Sequence, residues 1–344
     1  MEKDDVILSV KNLTTQFMLK EGTLCAVNNV SFEIHRGEVV ALVGESGCGK
    51  SITVRSILRL IRKPGKSSGE VIFKRKDADF VDLLKLDENG KEIRKIRGKY
   101  INMVFQEPMN ALSPVHTIAN QIIEAIMVHT NKTKDEAREM SIELLRSVGI
   151  PEPEKRIDSY SFQLSGGMRQ RALIAMAISC SPELLIADEP TTALDVSVQA
   201  QILKLLKELQ KKYNMSMIFI THDLAVVAQM VDRVCVMYLG QIVEEADVHE
   251  IFRNPQHPYT KKLMASILNP GDRRIKENVN TINTIKGAVP EPINLPNRCY
   301  FCERCDEYDS SECLDEMPGL IDIGENVVHK VRCFRAYKGK QDEE

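Results

Sequence analysis

The sequence predicts an α/β fold built on a largely parallel sheet covered by helices. Three observations predict it. Short apolar runs recur along the chain, from Glu38 to Val43, Leu184 to Ala187 and Met217 to Ile220, as strands buried on both faces require. Between such runs lie stretches with apolar residues three and four apart, clearest from Val198 to Tyr213 with Ile202, Leu203, Leu205, Leu206 and Leu209. The first run leads straight into Gly44-Glu45-Ser46-Gly47-Cys48-Gly49-Lys50-Ser51, giving the order strand, glycine loop, helix.

The elements follow in order. Val6-Ile7-Leu8-Ser9-Val10 reads as a strand, and Val30, Phe32 and Ile34 alternate with polar residues as in a half-buried one. Ser51 to Arg62 carries Ile52, Ile57, Leu58 and Ile61 at helical spacing and is stopped by Pro64-Gly65. The charged run from Lys74 to Lys99 mixes signs and reads as a solvated hairpin region. Residues 118–149 read as helical, with Thr133 capping a second helix. A helix begins at Leu224, and Val234 to Met237 and Gln241 to Glu244 flank Leu239-Gly240 as a hairpin. From about Pro255 periodicity fades and Pro, Asn and Gly rise, so a boundary is expected there, between residues 1–254 and a segment 255–344.

Composition excludes several classes. The chain has 344 residues, 43% hydrophobic and 28% charged, enough for one large domain and a smaller appendage. A net charge of −3 argues against a nucleic-acid partner, and 5% aromatics with no Trp offer no stacking platform. Met1-Glu2-Lys3-Asp4-Asp5 is too acidic for a signal peptide, and no apolar stretch reaches the roughly 18 residues of a membrane span, so a cytoplasmic location is expected. Nine cysteines are then not expected to form disulfides.

Gly44 to Ser51 fits an eight-residue phosphate loop. Gly44, Gly47 and Gly49 let the backbone curl, so that amides around Ser46 and Cys48 face phosphate oxygens. Lys50 can reach the β- and γ-phosphates, while Ser51 binds Mg²⁺ and, with Ile52, opens the helix whose positive end faces the anion. Downstream, the run Leu184 to Ala187 delivers Asp188 to hold Mg²⁺ through water and Glu189 to polarise the attacking water. Ser165-Gly166-Gly167 is a second anion-binding helix start, 23 residues before Asp188. Two such helix ends are puzzling for one nucleotide unless each serves a different one.

At Leu164-Ser165-Gly166-Gly167-Met168-Arg169-Gln170 the chain resembles the ABC ATPases, where this stretch is the signature motif. The resemblance implies a P-loop ABC ATPase fold. Its parts would be a RecA-like parallel sheet core, an antiparallel β-subdomain, an α-helical signature subdomain at about residues 107–180, and a small cysteine-rich C-terminal extension. It implies a head-to-tail pair of domains sandwiching two ATP molecules. Gln106, in Val104-Phe105-Gln106-Glu107-Pro108, resembles the glutamine that touches Mg²⁺ and the attacking water. Ala193-Leu194-Asp195 resembles the loop crossing the dimer interface, and His222 the switch histidine at the γ-phosphate. Phe17 lies where the family stacks an aromatic on adenine, although it could equally pack within its strand.

The stretches around these motifs, among them Phe105 to Val115, Ser165 to Arg171 and Ala187 to Val196, look like the dipeptide/oligopeptide importer subfamily, which includes nickel importers. Met168 resembles the D-type member of a D/F pair, and His257-Pro258-Tyr259-Thr260 is a further mark of that subfamily. If so, the particle holds a second ATPase, an F-type heterodimer partner, with two membrane permease subunits and an extracytoplasmic binding protein. The chain would then sit at the cytoplasmic face of the membrane. Dipeptide, oligopeptide and nickel remain open as substrates. A soluble ABC ATPase acting on DNA or ribosomes is the competing class, but a separation of 121 positions between Gly44 and Ser165 leaves no room for its coiled coil.

Five of the cysteines, Cys299, Cys302, Cys305, Cys313 and Cys333, crowd the last 46 residues. Cys299, Cys305, Cys313 and Cys333 are spaced like the four found in the subfamily's extension, where the resemblance implies a [4Fe-4S] cluster. Four soft ligands also suit tetrahedral Zn²⁺, or reduced structural thiols, and Cys302 leaves the second ligand open.

Overall fold

A computed structural model of the chain describes residues 5–76, 80–106, 111–192, 194–266, 285–324 and 327–341. The acidic start before Asp5, the stretch 107–110 after Gln106, and Ala193 of the Ala193-Leu194-Asp195 motif lie outside the described residues. In chain order the strands are β1 (Val6–Met18), β2 (Thr23–His35), β3 (Val39–Val43), β4 (Gly65–Lys74), β5 (Phe80–Asp82), β6 (Ile101–Val104), β7 (Leu184–Asp188), β8 (Ser216–Ile220), β9 (Arg233–Tyr238), β10 (Gln241–Asp247), β11 (Ile321–Asp322) and β12 (His329–Val331). The chain divides into two compact units, residues 1–8, 33–39 and 72–220, and residues 9–32, 40–71 and 221–344.

In the first unit β6, β7 and β8 pair in parallel, with Ile101 opposite Leu184 and Leu184 opposite Ser216. Every residue of β7 and β8 is buried, the consequence of covering a parallel sheet on both faces. Each of their aliphatic side chains contributes about 1.5–3 kcal/mol by leaving water. The helices of this unit stop and start where their sequences say. Helix Ile118–His129 is capped by Thr117, whose hydroxyl accepts from the Asn120 amide, and it buries Ile118, Ile122 and Ile126 at four-residue intervals. Helix Lys134–Ser147 opens with Thr133 and Glu136 in a reciprocal capping box. Helix Val196–Tyr213 buries Ile202, Leu205, Leu206 and Leu209 and ends on Asn214 at φ 48°. The Lys74–Lys99 run forms the expected hairpin only at its start, where β4 and β5 pair antiparallel. Its remainder includes helix Lys91–Lys99, because Ile93 and Ile96 lie three apart and are both buried.

In the second unit β3 runs parallel to β9, Val40 opposite Arg233. β9 and β10 form the antiparallel hairpin expected around Leu239-Gly240, whose φ values of 43° and 77° are both left-handed. Such a pair matches the twist of the flanking strands, and Gly240 adopts it at little cost. β10 then pairs antiparallel with β12, and β12 with β11. Two consecutive carboxylates of β10 are fully buried and each is paired. Glu244 accepts from His329 Nε2 at 2.7 Å and from the Gln256 and His257 amides at 2.7 and 3.0 Å. Glu245 pairs with Arg233 and with Lys330, the latter at 3.2 Å. Helix Lys50–Ile57 is shorter than the expected Ser51–Arg62, because Arg59 turns to φ 56° ahead of Pro64. Among the described residues no helix is long and apolar enough to cross a membrane.

Candidate nucleotide site

Lys50, Ser51 and His222 belong to one compact unit, and Gln106, Ser165, Asp188 and Glu189 to the other. In the loop half, the chain leaves β3 into Gly44, Gly47 and Gly49 at φ 151°, 80° and 103°. A side chain at Gly44 would meet the Met237 carbonyl oxygen at 2.2 Å, and one at Gly49 the Ala26 carbonyl oxygen at 2.3 Å. Both therefore have to be glycine, on grounds of space as well as backbone conformation. Gly49 caps helix Lys50–Ile57 with no side-chain bond, so the first amides of that helix face away from its body. The buried Lys50 ammonium donates to the Gly44 and Glu45 carbonyl oxygens at 2.8 and 3.0 Å, curled over its own loop. Ser46 and Gly47 are exposed, Ser51 and Ile52 are half-buried, and the Cys48 thiol is buried, which raises its pKa. Phe17 is half-buried at the end of β1, its ring edge lying against Gly65. His222 is exposed just before helix Leu224–Met230, which Asp223 caps.

In the carboxylate half, β7 ends on Asp188, 0% exposed. Glu189 follows at φ 45°, its amide bonded to the Ile220 carbonyl at 3.0 Å. That turn swings the Glu189 carboxylate off the strand. Its Oε2 then accepts from Gln106 Nε2 at 2.9 Å and from the Thr192 hydroxyl at 3.0 Å. Gln106 and Glu189, 83 residues apart, are thus brought together, a contact that no local pattern signals. Ser165 caps helix Gly166–Ile178 by accepting from the Met168 amide at 3.3 Å, and both Ser165 and Gly166 are exposed. Asp195 caps helix Val196–Tyr213, and its carboxyl lies below the usual range because Ser197 and the Val198 amide bond to it.

The C-terminal cysteines all fall in the second unit. The Cys299 amide donates to the Cys313 carbonyl at 3.1 Å, and Cys302 and Cys305 are joined by a single turn, Cys302–Arg304. Burial pushes the Cys299 thiol up to about 12 and Cys305 up to about 11, and it raises Cys302 and Cys333 as well. Neighbouring thiols add to the rise, so Cys299 lies within electrostatic range of Cys302, Cys313 and Cys333. No three Cys, His, Asp or Glu side chains among the described residues form a group able to hold a single metal ion.

One set of contacts had no signal in the sequence. Glu45, inside the glycine loop, is held by Arg304 through both carboxylate oxygens at 2.8 and 3.1 Å, and its amide donates to the Tyr259 hydroxyl at 2.9 Å. Glu45 belongs to the glycine loop and Tyr259 to His257-Pro258-Tyr259-Thr260, but nothing in the sequence marks Arg304 as their partner.

Comparison with known proteins gives the family. Residues 27–192 match the ABC transporter family, and residues 243–313 match the oligopeptide/dipeptide transporter C-terminal region. The oligopeptide transport ATP-binding protein AppD of Bacillus subtilis is 47% identical over 95% of this chain and 96% of its own length. The dipeptide transport ATP-binding protein DppD of Haemophilus influenzae is 46% identical over 95% and 94%. DppD of Bacillus subtilis is 48% identical over 89% and 87%. Among solved structures, a dimeric ATP-binding cassette in a post-hydrolysis state bound to ADP and Pi matches with a TM-score of 0.61 at 29% identity, covering 70% of this chain and 98% of that one. The cassette cbiO1 of Clostridium perfringens matches at 0.59 and 31%, covering 73% and 92%. Similar along nearly its whole length to such ATP-binding proteins, the chain belongs to the ABC transporter family as one of its ATP-hydrolysing cassettes.

Proposed function

We propose that the chain powers import of dipeptides or oligopeptides across the cytoplasmic membrane. It would work as one ATPase of a head-to-tail pair bound to two permease subunits, fed by an extracytoplasmic binding protein. The observation that carries this reading is the 46–48% identity, over 87–96% of their lengths, to proteins named for peptide transport. Nickel import has no such support. The second ATPase is proposed to be an F-type partner, and the chain is placed by this reading at the cytoplasmic face of the membrane.

In this reading Gly44 to Ile52 cradles the ATP phosphates, with Phe17 against the base and Lys50 leaving its carbonyls for the β- and γ-phosphates. Ser51, Gln106 and Asp188 hold Mg²⁺, which offsets charge on the phosphate oxygens. Glu189 orients the attacking water and draws off its proton, and Gln106 keeps that carboxylate aimed by donating to Oε2. His222 contacts the γ-phosphate. Ser165, Gly166, Gly167 and Asp195 serve the nucleotide held by the partner. The domain division at residue 254 and the signature subdomain at about 107–180 belong to the same reading.

We further assign Cys299, Cys305, Cys313 and Cys333 to a [4Fe-4S] cluster, with Cys302 as an alternative ligand. What supports this reading is the match of residues 243–313 to the oligopeptide/dipeptide transporter C-terminal region, together with the electrostatic proximity of Cys299 to Cys313 and Cys333. Bound iron would keep Cys299, Cys305 and Cys333 ionised, against the burial that raises their pKa values. The test of the transport reading is uptake of labelled di- and oligopeptides by cells carrying Glu189→Gln in place of the natural chain. Loss of peptide uptake with nickel uptake intact is expected, and the reverse outcome refutes the assignment.

A further inference from the structure

Glu45 stands between the first two glycines of the phosphate loop, and its contacts come from far along the chain. Arg304 grips its carboxylate through two nitrogens, at 2.8 and 3.1 Å. The Tyr259 hydroxyl accepts from its amide at 2.9 Å, and Lys50 Nζ donates to its carbonyl at 3.0 Å. All three polar groups of the residue are thereby held. The holders are themselves fixed. Tyr259 is 0% exposed and Arg304 6%. Arg304 also donates from Nε to the Lys286 carbonyl at 3.0 Å and from Nη1 to the Tyr238 hydroxyl at 3.3 Å, while its own carbonyl accepts from Lys262. The rings of Tyr238, Tyr259 and Phe301 lie 4.8–5.4 Å apart beneath it. A two-pronged contact between a buried guanidinium and a partly exposed carboxylate fixes direction as well as distance. It is a costly arrangement for a residue that serves only to cover the surface.

We infer that Arg304 and Tyr259 are positioning residues of the nucleotide site: through Glu45 they hold the phosphate loop in its ATP-binding curvature. The segment after residue 254 thereby sets ATP affinity from outside the loop. The inference rests on the reading that Gly44–Ser51 binds the ATP phosphates. A loop released from its clamp must be ordered again at each binding event, and that cost is taken from affinity.

The test is titration of the full chain with N-methylanthraniloyl-ATP and Mg²⁺, read by fluorescence, with circular dichroism checking the fold of each variant. Lys50→Ala serves as the control: its loss of binding, with wild type binding, secures the loop reading independently. Arg304→Gln and Glu45→Gln are each expected to raise Kd about fivefold, which corresponds to roughly 1 kcal/mol at 1.4 kcal/mol per decade. The Glu45→Gln/Arg304→Gln double variant should be no weaker than the weaker single one, because both remove the same contact. Arg304→Lys, which keeps the charge, should recover part of the loss. A Kd for Arg304→Gln within twofold of wild type, or single effects that multiply in the double variant, overturns the inference. If Arg304→Gln does not fold, Tyr259→Phe removes one hydroxyl from the same clamp. An unchanged Kd in that variant overturns the inference equally.

Discussion

Acidification from pH 7.5 to pH 5 should weaken the fold measurably at one imidazole, that of His257. The ring is 2% exposed, and its Nδ1 accepts the Tyr259 amide at 3.0 Å, capping helix Pro258–Ala265. Burial drives its pKa from 6.5 down to about 4; the nearby Glu244 carboxylate opposes the fall, while Arg332 and Lys261 add to it. The folded ring thus stays neutral to about pH 4, whereas the unfolded ring takes a proton near 6.5. Between those values the unfolded chain binds more protons, so stability rises with pH and is lost on acidification. At pH 5 the two pKa values give a ratio of about 30 between the protonation factors, or about 2 kcal/mol; at pH 7.5 the effect is under about 0.1 kcal/mol. With about 2.1 cal/mol/K of unfolding entropy per residue over the whole chain, this is a fall in Tm of about 3 °C. Carboxylates elsewhere titrate in the same range, so the measurement is a comparison. His257→Asn keeps a capping oxygen and cannot titrate. Melting followed by circular dichroism at the two pH values should show wild type losing about 3 °C more than the variant. Equal losses would mean that the ring is not held neutral by burial.

Three other outcomes are expected. Glu189→Gln should abolish ATP turnover while ATP still binds, as read by phosphate release and nucleotide retention; normal steady-state hydrolysis would remove Glu189 from its role. Gly49→Ala, with its new Cβ 2.3 Å from the Ala26 carbonyl oxygen at φ 103°, should cost about 1–3 kcal/mol in thermal stability and lose ATP binding. Anaerobically purified protein should be brown with a broad visible absorbance and stoichiometric iron, and it should bleach on iron removal. Colourless protein with neither iron nor zinc would leave the thiols structural.

What could be read in advance was what local chemistry dictates. The run ending at Val43 had to be a buried strand and the glycines after it a curled loop; that Met237 and Ala26 leave no room there for a side chain is seen only in the structure. Thr133 with Glu136, and Leu239 with Gly240, carry their cap and turn within four residues. The misses have a common physical cause. Helix Ser51–Arg62 was overextended because nothing in its periodicity announces the turn at Arg59. Lys74–Lys99 looked wholly solvated because its charges outnumber the buried Leu83, Ile93 and Ile96. The Gln106–Glu189 and Glu45–Arg304 contacts span 83 and 259 residues, and a single sequence holds no record of which distant polar groups meet.

The exposed start of helix Gly166–Ile178 bears on how much of a site one chain contains. Ser165 satisfies the Met168 amide, yet Ser165 and Gly166 lie open to solvent on a helix 13 residues long. A side chain at Gly167 would come within 2.8 Å of Val198, so the turn is drawn close to helix Val196–Tyr213 and cannot be enlarged there. An open, positively polarised helix end with a compact backbone suits an anion brought by another molecule. If that anion is the γ-phosphate of ATP held by a second cassette, hydrolysis requires association. The rate per chain should then rise with protein concentration until the dimer saturates, and the partner ATPase should raise it further at fixed concentration. Ser165→Arg should suppress that rise while leaving ATP binding to the chain itself intact. A rate per chain that stays constant from nanomolar to tens of micromolar protein would mean that one chain holds a complete site.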